Sequence, residues 1–291
     1  MNLEGRRPLL LAIAGATALS LGGLLWLSRS LWVAGTAADS SPGSLFDLLE
    51  DSKGATGTRT ERLRPAPPPT LEPWVSPLRQ ACPLRDPALE RRLKGLMVGL
   101  PRQRQRIRID PSNYGQRFRR DVYGNPIDPT PRVVVLHETV YGLESAINTF
   151  RTHHPDDKDQ VSYHTLIGGK GQVIDTLDPS RRAFGAGFSA FNGAWVFTSS
   201  KVGGSINNFA LHISLETPID GENDGPGHSG YSPAQYDALA VVLADWMRRY
   251  PIRPEAITTH RHVDLGQERS DPRSFNWSEL QRRLAALRLI C

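Results

Sequence analysis

The stretch THRHVDLGQERSDPRSF, residues 259–275, sets two histidines and an Asp-Pro pair close together in a 291-residue chain with eight histidines. A neutral imidazole and a carboxylate are good zinc ligands, and a catalytic zinc takes three protein groups while leaving a fourth position for water. Three candidates fall at or just beyond expected strand ends: His137 after VVVL, His260 after AITT, and Asp271 in the loop that follows. One histidine at a strand end is ordinarily structural, so these three are candidates whose weight rests on the pattern around them. His262 is an alternative to His260, since residues i and i+2 of a strand share a face; its other reading is an exposed loop histidine. Glu138 suits either activation of water or an ion pair, and His164 suits a hydrogen-bonded wall of the site. His153, His154, His212 and His228 receive no role.

Rival chemistries fail on spacing. In LHETVY the His-Glu pair would need a second histidine at Tyr141 to form a helical zinc-protease motif. Around Ser189 the order is GFSAF, which lacks the glycines of a nucleophile elbow. The GGKG of residues 168–171 lacks the order of a phosphate loop and reads as a hairpin turn.

The elements that must position these groups alternate along the chain. A β-branched run, residues 132–137, reads as a buried strand and residues 143–151 as a helix. Residues 163–177 read as two strands around a glycine-rich turn, and residues 208–217 as another strand. Residues 232–250 form the clearest helix, with a Ser232/Gln235 capping box, Pro233 in the first turn and an apolar stripe of Tyr236, Leu239, Ala240, Leu243, Trp246 and Met247. A strand over residues 255–260 and a helix over 277–289 close the chain; a further helix over 86–97 begins at an Asp86 cap. The expected fold is α/β, a mixed central β-sheet flanked by helices with the zinc site at strand ends.

Upstream the composition changes. Residues 8–28 carry no charge and are about long enough for a helix crossing a bilayer of roughly 30 Å, with Arg6 and Arg7 before them. An uncleaved membrane anchor, a cleaved signal peptide and a buried helix are the three readings, and the first two place the rest of the chain outside the cytoplasm. The division is 1–35 anchor or signal, 36–80 a Pro/Ser/Gly-rich linker acting as a semi-stiff spacer, 81–129 a basic extension, and 130–291 the domain with the chemistry. Cys82 and Cys291 can form a disulfide joining the start of the folded part to its last residue, or remain two unrelated thiols. The net charge of +5 is concentrated in RQRQRIR, residues 102–108, and RFRR, residues 117–120. Such a patch fits an anionic polymer or lipid, or simply a solvated face; export argues against nucleic acid.

The ordered set VVVLHET, SYHTLIGGKGQVIDTL and ITTHRHVDLGQERSDPRSFNW resembles the zinc N-acetylmuramoyl-L-alanine amidases, a superfamily that includes phage lysozyme-type amidases and the peptidoglycan recognition proteins. The resemblance covers roughly residues 130–280. It implies a Zn2+ cofactor held by His137, His260 and Asp271, with Tyr163 and Arg269 stabilising the oxyanion of the reaction. It further implies peptidoglycan or muropeptides as substrate and a place in the cell envelope, anchored or exported. Three departures accompany it: Arg269 stands where many members have lysine, Ser214 stands where some have a catalytic glutamate, and Gly185 stands where a Trp-His-Ala-Gly segment has its histidine. Guanidinium supplies charge but hardly releases a proton, so Arg269 is expected to act electrostatically. The alternative implied by the departures is a peptidoglycan-binding protein of the same fold without turnover.

Overall fold

The computed structural model describes residues 65–79, 82–83, 85–199 and 203–291. Every described residue belongs to one unit, Glu61–Cys291. Its helices are α1 (Pro87–Gln103), α2 (Leu143–Arg151), α3 (Pro233–Arg249), α4 (His260–Val263) and α5 (Trp277–Ala286). Its strands are β1 (Gln105–Arg106), β2 (Tyr114–Gln116), β3 (Val133–Glu138), β4 (Thr165–Ile167), β5 (Val173–Asp175), β6 (Arg181–Ala183), β7 (Ala210–Leu215) and β8 (Ile257–Thr259).

VVVLHE is buried at every residue, the pattern of a strand covered on both faces. It lies between two parallel neighbours, β7 and β8, in a six-stranded sheet of order β1-β5-β4-β7-β3-β8. The β4–β5 pair is antiparallel, so the sheet is mixed as expected. Its turn needs glycine: Gly171 has φ +81°, and a Cβ there would meet the Ala234 carbonyl at 2.8 Å. A second sheet pairs β2 with β6.

Alternation along the strands divides the core. Val134, Leu136, Leu211, Ile213 and Ile257 face α1, α3 and α5, while Val133, Val135 and Ala210 face the opposite side. There Leu166 and Ile174 meet Ile147 and Phe150 of α2. Each fully buried leucine or isoleucine contributes about 1.5–3 kcal/mol. The Ser232/Gln235 capping box is formed in α3. Asp237 of α3 pins its neighbours through Arg283 of α5 at 2.6 Å and Arg92 of α1 at 2.8 Å.

Several boundaries differ from expectation. Helix α1 runs on to Gln103 because Leu100 continues the buried stripe of Leu89 and Leu93. The strand expected to reach residue 260 stops at Thr259, whose side chain accepts from the His262 amide and starts α4. The basic segments are not wholly a solvated face. Arg104 lies between Asp175 and Asp245, and the half-buried Arg117 donates to the carbonyls of Pro179, Asn207, Asn208 and Ala210. Burial lowers the Arg117 pKa to about 10.

The proline-rich stretch expected to act as a spacer lies, at its C-terminal end, against the domain. Trp74 packs at a tilt against His262 and Trp277 and donates to the Glu255 carbonyl, and Leu78 is buried. Cys82 and Cys291 form a disulfide with Cα atoms 5.9 Å apart. The apolar run of residues 8–28 lies outside the described residues, and no described helix is long and apolar enough to cross a membrane.

Candidate metal centre

His137 is the penultimate residue of β3 and His260 the first residue after β8. The register sets Leu136 opposite Thr259, so the next residue of each chain segment is a histidine and the two rings meet, with centroids 4.6 Å apart. The loop beyond α4 returns Asp271 to them, held in part by the Arg261 amide donating to the Asp271 carbonyl at 3.0 Å. One carboxylate oxygen of Asp271 lies 3.1 Å from His137 Nδ1 and the other 2.9 Å from His260 Nδ1. One donor atom from each of the three residues lies within 4.8 Å of the others.

This donor set fits a zinc ion, which takes imidazole nitrogen at about 2.0–2.1 Å and carboxylate oxygen at about 2.0–2.2 Å. The protonation states fit too. Burial lowers the His137 pKa to about 4, against the hydrogen bond it makes to Asp271 and with the charges of His260 and Arg269 acting the same way as burial. The ring is therefore neutral at pH 7. Burial pushes the Asp271 carboxyl up, but the hydrogen bonds and charges of His137 and His260 outweigh it and hold the group well below the usual carboxylate range.

Tyr163 stacks on the His137 ring, centroids 4.2 Å apart and planes 20° apart. Burial and then the charge of Asp271 push its hydroxyl pKa far up, with Arg269 pulling the other way, so at neutral pH it is a donor. Arg269 is exposed at the mouth. Its backbone is fixed by Asp264, whose carboxylate accepts from the amides of Gly266, Glu268 and Arg269 at 3.1, 2.7 and 2.9 Å. His137, His260, Asp271 and Tyr163 thus gather at one place, and the charge of Arg269 acts on His137 and Tyr163.

Other expectations sort themselves by contact. His262 is not an alternative ligand, because residues 260–263 are helical and its ring goes to Trp74. Glu138 takes the ion-pair reading: its side chain, 1% exposed, pairs with Arg273, 5% exposed. The same carboxylate accepts from Tyr231 at 2.6 Å and faces His228 Nε2 at 3.1 Å. Because His228 Nδ1 accepts from the Gly230 amide, its proton sits on Nε2 and points at Glu138. Arg273 continues to the carbonyls of Gly221, Asn223 and Gly225, fastening the loop after β7 to the strand that carries His137.

His164 is indeed a buried, hydrogen-bonded residue. Its Nδ1 accepts from the His212 amide at 3.0 Å, and burial followed by the Arg117 charge lowers its pKa to about 3. Sequence reasoning missed His212, whose Nδ1 lies 3.0 Å from His137 Nε2. A signal was available: His212 sits in β7 two residues from Ser214, so the two side chains share a face of a strand in which Ser214 had already been noted as a departure. Ser214 pairs in register with His137, and its buried hydroxyl has no hydrogen-bond partner among the described residues.

Comparison with known proteins accords with this geometry. The N-acetylmuramoyl-L-alanine amidase AmiD of Escherichia coli K12 is 28% identical over 160 residues, 52% of this chain and 52% of its own. The 1,6-anhydro-N-acetylmuramyl-L-alanine amidase AmpD of Citrobacter freundii is 28% identical over 123 residues, 42% of this chain and 56% of its own. The chain thus spans about half the length of the curated relatives it matches. Among solved structures, a crystal structure of an AmpD derivative superposes with a TM-score of 0.47 at 24% identity, covering 62% of this chain and 94% of that one. The family profile described as N-acetylmuramoyl-L-alanine amidase matches residues 127–274, half of the chain, and those residues include His137, Tyr163, His260, Arg269 and Asp271. The chain therefore belongs to the N-acetylmuramoyl-L-alanine amidase family.

Proposed function

We propose that the protein is a zinc-dependent amidase that hydrolyses the bond between the lactyl group of N-acetylmuramic acid and L-alanine in peptidoglycan or its fragments. The observation that carries this reading is the convergence of His137, His260 and Asp271, with donor atoms within 4.8 Å, at the carboxyl ends of β3 and β8. The relatives named amidases for muramyl-L-alanine bonds support the substrate class.

His137, His260 and Asp271 would hold the ion, which when bound lowers the pKa of water to about 7 and polarises the scissile carbonyl. The buried, neutral His137 and the ionised Asp271 carry the net charges that ligation needs at pH 7. Tyr163, protonated and packed on His137, donates toward the oxygen that gains charge as the carbonyl is attacked. Arg269 adds a fixed positive charge to the same region and does not serve as the acid. Glu138 is committed to Arg273, Tyr231 and His228 and takes no part in proton transfer.

The proposal extends to location. The apolar residues 8–28 take the chain into the cell envelope as an anchor or cleaved signal, and the Cys82–Cys291 disulfide suits an oxidising exterior.

The test is incubation of the protein with purified peptidoglycan and mass spectrometry of new N-terminal alanine. Wild type should release it, and His137→Ala should lose both zinc and activity. Arg269→Ala and Tyr163→Phe should each keep zinc while losing about 10²-fold in kcat. Zinc uptake without any cleavage would replace the reading with a binding protein of the same fold.

A further inference from the structure

We infer that His212 is a positioning residue for the zinc ligand His137, and that Gly185 is kept free of a side chain to seat the His212 ring. The inference rests on the reading of His137 as a ligand.

His137 presents Nδ1 to Asp271 on the side where the ligand atoms converge. Its other nitrogen, Nε2, points into the body of the domain and lies 3.0 Å from His212 Nδ1. Both rings are fully buried, so no solvent substitutes for this contact. Stacking on Tyr163 restrains the plane of the His137 ring. Stacking leaves open which nitrogen faces the ligand set, because a half-turn of the ring about its bond to the backbone preserves the plane. The His212 contact removes that ambiguity. With a cation on Nδ1, His137 carries its proton on Nε2 and donates it to His212 Nδ1; without one, Nδ1–H faces the Asp271 carboxylate and Nε2 accepts from His212. A ligand histidine ordinarily has such a partner on its second nitrogen.

The seat for His212 is equally specific. A Cβ on residue 185 would lie 2.4 Å from His212 Nδ1 and 2.6 Å from its Cγ. A side chain at 185 and the ring of residue 212 therefore compete for one space. In this chain the imidazole beside the ligand comes from β7. His212 itself is held from below: its backbone amide donates to His164 Nδ1, and its ring stacks parallel to the His164 ring with centroids 5.9 Å apart.

The experiment is zinc affinity of the purified protein, measured by competition with a chromophoric chelator, with circular dichroism to verify the fold. His212→Leu fills the space without an acceptor and should weaken zinc binding about 10- to 100-fold. His212→Asn places Oδ1 near the former Nδ1 and should recover most of that loss. Gly185→Ala should weaken binding in the same range in the wild-type background and by less than 3-fold in the His212→Leu background, a non-additivity reporting one shared space. Wild-type zinc affinity in a folded His212→Leu protein, or Asn no better than Leu, would overturn the inference while leaving the ligand set standing. Failure of the wild-type protein to take up zinc would overturn both.

Discussion

Glu138→Gln tests whether the wall of the site is held by a buried charge. Glu138 and Arg273 have side chains 1% and 5% exposed, and the carboxylate also receives the Tyr231 hydroxyl and the Arg273 amide. The amide of glutamine retains one acceptor and turns the other into a donor that faces Tyr231, His228 and a backbone N–H. The guanidinium is left with the carbonyls of Gly221, Asn223 and Gly225 and no countercharge. Removing one partner of a buried pair costs about 3–5 kcal/mol. At about 2–4 °C per kcal/mol for a domain of this size, the melting temperature should fall by roughly 6–20 °C. Denaturant and thermal unfolding of the wild type, Glu138→Gln, Arg273→Met and the double variant complete a cycle, in which the double variant should be less damaged than the sum of the single ones. A Glu138→Gln protein within about 1 kcal/mol of wild type would refute the reasoning, because the pair would then be no more than an exposed ion pair in effect.

Reduction, or Cys82→Ser, should destabilise the domain by about 4–5 kcal/mol through the freed chain between the two cysteines, read as a lower urea midpoint with and without reductant. Acid should weaken the zinc-free protein through His164. With its folded pKa near 3 against an ordinary 6.5, the unfolded state binds the extra proton between those values, so stability is lost as pH falls, by about 1.4 kcal/mol per unit from this group. His164→Gln should flatten that slope between pH 6 and 4, and an unchanged slope would remove His164 from the account. Asp264→Ala should free the amides of Gly266, Glu268 and Arg269, seen as faster hydrogen exchange at those three positions, with zinc retained.

The sequence exposed the local features and concealed the contacts made across the chain. VVVLHE was legible as a buried strand because both faces are covered, and the capping box announced α3 because its two partners are three residues apart. Helix α2 appeared at its full span, Leu143–Arg151. The candidate ligand residues were legible as types at strand ends, and the resemblance supplied Tyr163 and Arg269. The Glu138–Arg273 pair was half visible, since a carboxylate in a buried strand needs a partner, yet the partner lies 135 residues away. His212 was passed over because nothing local distinguishes an inward-facing histidine in a buried strand from a filler; its meaning depends on Gly185 and His137 across the sheet. Strands β1, β2 and β6 have two or three residues each, too few to show alternation.

The bond between Cys82 and Cys291 makes the intervening chain a covalent ring. One cut in an exposed loop, such as the stretch of residues 222–229 fastened by Arg273, opens that ring and liberates no fragment. The two pieces stay one molecule, and the sheet can re-form from a nicked chain without finding a partner in solution. The proximity of the two Cα atoms, 5.9 Å, also means that residues 82 and 291 can be joined by a short peptide and new ends opened elsewhere.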